Sequence, residues 1–300
     1  MSTRLRNLLL GLAVTLILIS TSFALLQKSA PVEVSPQAEP SAPPEVSTSS
    51  LPVSPQKIIG ASVAGRAIES YTFGTGDKTV LMVGGIHGGY EWNSILLAYE
   101  FIDALEAGTL PIPQSLRVVI VPNLNPDGLF AATGLVGRFA RTDITDNGMH
   151  QTGVGRFNQN AVDLNRNFDC KWQSKSSWRS KVVSAGSAPF SEPESAALKK
   201  LVEETEPIAA LFWHSQANAV YASECEAGVL PATLAIMNLY ATAGNYDAVP
   251  VFTAYPITGD AEGWLASLNI PAITIELQSR TDTEWPRNLK GVTAVLEYLQ

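Results

Sequence analysis

The sequence predicts an α/β fold: a single domain on a mostly parallel (mixed) twisted sheet covered by helices on both faces. Two observations carry that expectation. Short apolar runs alternate along the chain with segments of helical periodicity, the pattern of strands buried on both sides and joined through helices. The residues able to do chemistry also sit where those runs stop. His87, the loop from Asn123 to Asp127, His214 and Glu276 all occupy such ends. In open α/β sheets, ligands bind in the crevice beyond the carboxyl ends of the strands.

The elements follow in order. Ala67 to Phe73 alternates as a half-exposed strand. Thr79 to Val83 is a continuous apolar strand ending in Gly84-Gly85. Asn93 to Ala107 has helical spacing and stops near Gly108. Leu116 to Val121 is the next buried strand, and it opens the turn-dense loop Asn123-Leu124-Asn125-Pro126-Asp127-Gly128. A long Gly-rich stretch runs to Asn167. Ser191 to Thr205 is helical, with Pro193 in its first turn. Ile208 to Trp213 is a strand, Leu230 to Ala243 a helix, Pro271 to Leu277 a strand and Asn288 to Leu299 a closing helix.

The 300 residues divide into three parts. Residues 1–26 read as a signal peptide or N-terminal membrane anchor, because Arg4 and Arg6 precede the uncharged run Leu8 to Leu26. Residues 27–56 are a Pro/Ser-rich linker with too little apolar surface to offset its ordering entropy. Residues 57–300 form the folded domain. That layout implies an extracytoplasmic protein, either secreted, periplasmic or anchored to the outer face of the membrane. In such an oxidising compartment Cys170 and Cys225, the two cysteines present, are a candidate disulfide. A formal net charge of −8 with no basic cluster in the domain excludes nucleic acid as a partner class. A membrane enters only through the N-terminal segment, and a monomer is expected.

Three histidines are present, His87, His150 and His214, and two of them end strands. His87, Glu91 and His214 would supply a His2Glu set with an open fourth position for water, the usual form of a catalytic zinc site with one ion. Glu276 closes the run Pro271-Ala272-Ile273-Thr274-Ile275, where desolvation raises a carboxyl pKa toward that of a general base. The phrase Ala161-Val162-Asp163-Leu164-Asn165-Arg166-Asn167-Phe168 pairs an amide with a guanidinium fork, a clamp for a carboxylate. Arg156 can point a second guanidinium at a developing oxyanion. Arg138 and Arg141 read as surface charges.

These phrases, in this order, resemble the carboxypeptidase A-like zinc metallocarboxypeptidases. The resemblance runs from Ile59-Gly60-Ala61-Ser62-Val63-Ala64-Gly65-Arg66 to Glu276. It implies His87, Glu91 and His214 as ligands of one Zn2+, Glu276 as base and acid, and Asn165 with Arg166 as the clamp for the substrate's terminal carboxylate. It further implies Arg156 on the oxyanion, with Arg141 as runner-up, and Tyr255 as the substrate-capping tyrosine. Glu262, counted back from Trp264, falls at the base of the specificity pocket, where it or Asp260 would favour a basic or diamino terminal residue. One departure stands out: the family spaces its first two ligands His-x-x-Glu, whereas Gly88-Gly89-Tyr90 separates His87 from Glu91. The implied activity is removal of the C-terminal residue from peptides, including cell-wall peptides. A zinc-dependent deacylase of N-acyl amino acids and a non-catalytic peptide- or peptidoglycan-binding module remain open alternatives.

Overall fold

The computed structural model describes residues 56–145 and 149–300, the side chains of Met149 and His150 excepted. The leader and nearly all of the linker expected from the sequence lie outside the described residues, as does the His150 side chain. Eight strands form one sheet. They are β1 (Lys57–Ala61), β2 (Ala67–Phe73), β3 (Lys78–Val83), β4 (Leu116–Val121), β7 (Ala209–Ser215), β8 (Ala219–Ala222), β11 (Asp247–Val249) and β12 (Ala272–Leu277). Their spatial order is β1-β2-β4-β3-β7-β12-β8-β11. The central neighbours β4, β3, β7 and β12 run parallel. Antiparallel β1 and β2 close one edge, and β8 pairs antiparallel with β12 near the other. A hairpin of β5 (Lys175–Trp178) and β6 (Lys181–Ser184) and the two-residue pair β9 (Glu224–Cys225) and β10 (Gly228–Val229) stand apart from the sheet.

The two-residue period of the strands sorts the core into two layers. Val80, Met82, Leu211, Trp213, Ile273 and Ile275 pack under helices α1 (Trp92–Glu106), α5 (Pro231–Gly244) and α7 (Trp285–Leu299). Leu81, Val83, Val119, Val121, Ala210 and Phe212 pack under α4 (Pro193–Thr205) and α6 (Ala261–Ser267). His214 shares the second face with Ala210 and Phe212. Glu276 is register partner to His214 across β7 and β12, so the acid and the imidazole stand side by side where that face runs out of apolar residues.

The turn-dense loop after β4 holds a helix as well. Asn125 accepts a hydrogen bond from the Gly128 amide at 2.8 Å and caps α2 (Pro126–Thr133), with proline in its first turn. A short turn, α3 (Met149–Thr152), lies within the Gly-rich stretch. These short elements, like the β5–β6 hairpin, carry no long hydrophobic period. Cys170 and Cys225 are joined by a disulfide that ties the segment after Asn167 to β9.

Trp213 anchors the strand that delivers His214. Its ring stacks on Phe101 with centroids 5.0 Å apart, and its indole N–H donates to the Tyr240 hydroxyl at 3.2 Å. That hydroxyl donates in turn to Asn288 Oδ1 at 2.6 Å. Trp213→Ala leaves a cavity and strands the Tyr240 contact. The expected loss is about 3–5 kcal/mol in denaturant unfolding, with Trp213→Phe costing clearly less.

Candidate functional site

Glycine brings the first ligand segment into place. Beyond β3 the chain turns through Gly84 and Gly85. A Cβ at Gly84 would stand 2.7 Å from the Ser94 carbonyl oxygen and 2.8 Å from that of Pro122. The residue extra to the His-x-x-Glu spacing is taken up in a 3₁₀ turn over Gly88–Glu91, entered through Gly88 at φ +47°. A side chain at Gly88 would collide with the carbonyl oxygens of Gly155 and Asn125. The turn returns Glu91 to His87, with Oε1 3.0 Å from His87 Nδ1. Ser94 holds the turn, donating to the Glu91 carbonyl and accepting from the Gly85 amide.

His214, at the end of β7, completes the set. Its Nδ1 lies 3.2 Å from His87 Nδ1 and 3.1 Å from Glu91 Oε2. All three residues are buried, and their donor atoms fall within 4.8 Å of one another. With both Nδ1 atoms unprotonated, two lone pairs converge beside a Glu91 oxygen, an arrangement that a shared cation satisfies. The spacings lie a few tenths of an ångström inside the edges, about 3.3–3.6 Å, of a tetrahedron with ligand bonds of about 2.0–2.2 Å, the zinc range. The donor set therefore fits zinc. Each imidazole is also backed by an acid. Glu262 Oε1 lies 3.2 Å from His214 Nε2, and Asp163 Oδ1 stands 3.5 Å from His87 Nε2 without a hydrogen bond between them. Such partners fix ring orientation and raise ligand basicity.

Without a metal the charges are tightly balanced. Burial favours protonated Glu91, but His87 and His214 outweigh it and hold the carboxyl well below its ordinary range. Burial lowers His214, yet hydrogen bonds to Glu262 and Glu91 push it up to about 10. Asp163 is held far down by Arg156, with His87 and Arg166 adding to it, against its own burial. Glu276 goes the other way. Desolvation, then the charge of Glu91, raises it to about 7. Its Oε2 is buried and has no hydrogen-bond partner among the described residues. An orphaned carboxylate oxygen beside a metal-binding set is costly unless chemistry uses it.

A cavity of about 750 Å³ opens over this group. Asn165, Arg166, Arg156, Tyr255, Asp260, Glu262 and Glu276 all line it with the three donors. Asn165 Oδ1 accepts the Ala261 amide at 2.8 Å, which turns the side-chain NH2 toward the cavity. Arg166 donates through Nε and Nη2 to the Ser177 carbonyl and through Nη1 to that of Asn165. Two of its five N–H groups remain for a ligand. Arg156 binds Asp163 Oδ2 through Nε at 3.0 Å and Nη2 at 2.8 Å, and lies 4.6 Å over the Trp178 ring. Its Nη1 points to the donor set, 3.9 Å from Glu91 Oε1.

The two acids assigned to terminal side-chain recognition are partly engaged already. Asp260 caps α6, taking the Gly263 amide at 2.7 Å. Burial and the neighbouring Glu262 raise it to about 6. Glu262 Oε1 is shared by His214 and Thr274. Tyr255 stands at the rim, 4.9 Å from Phe252, which continues the aromatic row to Tyr221 at 5.6 Å. Arg141 stacks on Trp92 and donates to the Thr281 carbonyl, away from this cavity; Arg138 pairs with Asp103. Trp178 and Arg280 are among the cavity-lining residues that lie beyond the sequence reading. Trp178 sits on the hairpin, and Arg280 on the loop after β12; neither belongs to a recognisable phrase.

Purified protein is expected to hold one zinc per chain by elemental analysis, and His214→Ala none. Glu262→Gln keeps the fold but weakens zinc binding about 10–100-fold in chelator competition, as loss of a histidine's outer partner does.

Comparison with known proteins places the family and the fold. The family model for zinc carboxypeptidases, Peptidase_M14, matches residues 53–288. Gamma-D-glutamyl-L-diamino acid endopeptidase 1 of Lysinibacillus sphaericus is 26% identical over 245 residues, 75% of this chain and 60% of the relative. The chain spans about half to three-fifths of the length of the curated relatives it matches. The crystal structure of murein-tripeptide amidase MpaA from Escherichia coli O157 superposes with a TM-score of 0.57 at 24% identity, covering 80% of this chain and 91% of that one. Bovine thrombin-activatable fibrinolysis inhibitor, in complex with tick carboxypeptidase inhibitor, gives 0.64 at 18% identity, covering 82% and 90%. The fold is theirs, and by the extent of the family match this chain belongs to the zinc carboxypeptidase family.

Proposed function

We propose that this chain is a zinc-dependent exopeptidase that releases a C-terminal diamino acid from cell-wall peptides outside the cytoplasm. Residues 1–26 would deliver or anchor it, and residues 27–56 would tether it. The observation that carries the reading is the orphaned Glu276 oxygen beside the His87–Glu91–His214 donors, in a cavity whose Asn165 NH2 and Arg166 point inward. Both the Lysinibacillus relative and the Escherichia coli amidase carry names that place them on peptidoglycan-type peptides, which supports this substrate class.

His87, Glu91 and His214 would hold the metal. Zinc, when bound, lowers the pKa of a water and polarises the scissile carbonyl. Glu276 takes the proton of the attacking water and passes it to the leaving amine, a task suited to a carboxyl poised near neutrality. Arg156, fixed by Asp163 and Trp178, turns Nη1 to the charge growing on the carbonyl oxygen. Asn165 and Arg166 fix the terminal carboxylate, so that only the last bond reaches the donors. Asp260 and Glu262 line the pocket, and an ammonium on the terminal side chain would find its counter-charge in them. Tyr255 closes over the bound residue.

Glu276→Gln is expected to retain zinc and substrate binding while kcat falls about 10²–10⁴-fold, the scale that loss of a general base reaches. The pH profile carries a definite sign. Protonated Glu276 cannot accept a proton, so kcat/KM declines as pH falls through the neutral region. The alternative substrates, N-acyl amino acids, serve as the control in the same mass-spectrometric assay. Turnover of those alone would replace the peptidase reading, and undiminished activity of Glu276→Gln would remove the base assignment.

A further inference from the structure

Arg280 has no part in the mechanism above, yet it borders the metal-binding set. Its guanidinium stacks over the Tyr90 ring at 4.1 Å. Its polar contacts are long: Nη1 lies 3.4 Å from the Tyr90 carbonyl oxygen and 3.5 Å from Glu91 Oε1. No closer ion pair to Arg280 exists among the described residues. The side chain is largely buried, at 11% exposure, and lines the cavity. Glu91 is a metal donor, so Arg280 has no dedicated counter-charge. The other cavity arginines differ. Arg156 is bidentate on Asp163, and Arg166 is pinned to two backbone carbonyls. A buried guanidinium with unspent donors is a site for an anion.

The contacts also say on which side of the metal donors that anion lies. Asn165 touches Ala261, next to Glu262; Glu262 touches His214 Nε2; His214 Nδ1 touches Glu91 Oε2; and Glu91 Oε1 touches Arg280. Asn165 thus joins the donor set through Glu262 and His214, whereas Arg280 joins it through Glu91. If the clamp holds the leaving residue, Arg280 faces the acyl half of the substrate.

We propose that Arg280 is a specificity residue that binds a free carboxylate on the acyl side of the scissile amide, the group that a γ-linked glutamyl residue leaves exposed. An α-linked backbone has no carboxylate there. In a γ-glutamyl residue the α-carboxylate stands about 5 Å from the scissile carbonyl carbon when extended, given C–C bonds of about 1.5 Å. Arg280 Nη1 lies 3.5 Å from Glu91 Oε1, one of the donors beside which the scissile carbonyl would sit. Tyr90 supplies the flat support that holds the guanidinium plane, through a cation–π contact. The inference rests on the peptidase reading only for the direction in which substrate lies.

The test measures binding as well as turnover. Zinc-loaded Glu276→Gln protein is titrated calorimetrically with a γ-glutamyl–diamino acid peptide and with the same peptide carrying an α-carboxamide. The carboxamide is expected to bind about tenfold or more weakly, the scale of a hydrogen-bonded charge pair. Adding Arg280→Gln should lower affinity for the carboxylate peptide to that of the carboxamide and leave the carboxamide unchanged. Arg280→Lys should recover part of the difference. Equal affinity for both peptides in the protein that keeps Arg280 overturns the proposal, and this arm decides even where Arg280→Gln does not fold. A similar loss on both peptides in a folded, zinc-loaded Arg280→Gln protein also overturns it, since that is the mark of packing or of oxyanion support. Discrimination in binding without hydrolysis by the wild-type protein would sink the peptidase reading and keep this one. Equal hydrolysis of both peptides would do the reverse.

Discussion

Two imidazole nitrogens held 3.2 Å apart in a buried site, with a carboxylate between them, set the terms for the rest of the molecule. With both nitrogens unprotonated the pair is repulsive, and a shared proton or metal cation makes it favourable. Holding it needs three chain segments distant in sequence to end at one level. Parallel pairing of β3, β7 and β12 does that, since register along the strands makes their carboxyl ends coincide. The glycines at 84, 85 and 88 then let the backbone turn where a side chain would strike a carbonyl oxygen or the Asn123 amide. The core on both sheet faces makes this arrangement stiff. Trp213 locks the strand from one side while His214 emerges on the other.

Charge is arranged around the donors in alternating layers. Each imidazole has a carboxylate behind it, and Asp163 has the Arg156 fork behind it in turn. In a low-dielectric interior such alternation is what allows so many ionisable groups to be buried together, because each charge finds its opposite at contact distance. Glu276 is the exception. It borders Glu91, another acid, and has no partner for one oxygen. A carboxyl beside a second acid, with no ion-pair partner among the described residues, is where protonation costs least, and this suits the base proposed here.

Several residues divide their bonding capacity between scaffold and ligand. Asn165 uses its oxygen on Ala261 and turns its nitrogen to the cavity. Arg166 uses three donor nitrogens on backbone, and Asp260 caps a helix while it lines the pocket. Each such bond removes rotamer freedom before any ligand arrives, so the remaining donors are oriented without further entropic cost on binding. The cavity is thus preorganised by the same bonds that close the loop from Arg156 to Asn167 and pin it to α6. Arg280 stands apart because it is positioned by a ring and has little of its capacity spent.

The sequence by itself determined the fold class, the long strands and helices, and the set of metal-binding candidates. Continuous apolar runs and helical periods are local signals, and His87, His214 and Glu276 each stand at the end of one. It did not carry the short elements. The hairpin at Lys175 to Ser184, the helix at Ala261 to Ser267 and the turn at Gly88 to Glu91 are too brief for periodicity and owe their form to tertiary contacts. Only the tertiary structure decided that the longer His87–Glu91 spacing closes through a 3₁₀ turn, and that Glu262 reaches His214. It alone set Arg280 against Tyr90, 190 residues away in the chain. The physical reason is common to all three. A side chain's charge and hydrogen-bonding capacity can be read from its identity, but which partner consumes them depends on what the fold brings within three or four ångströms.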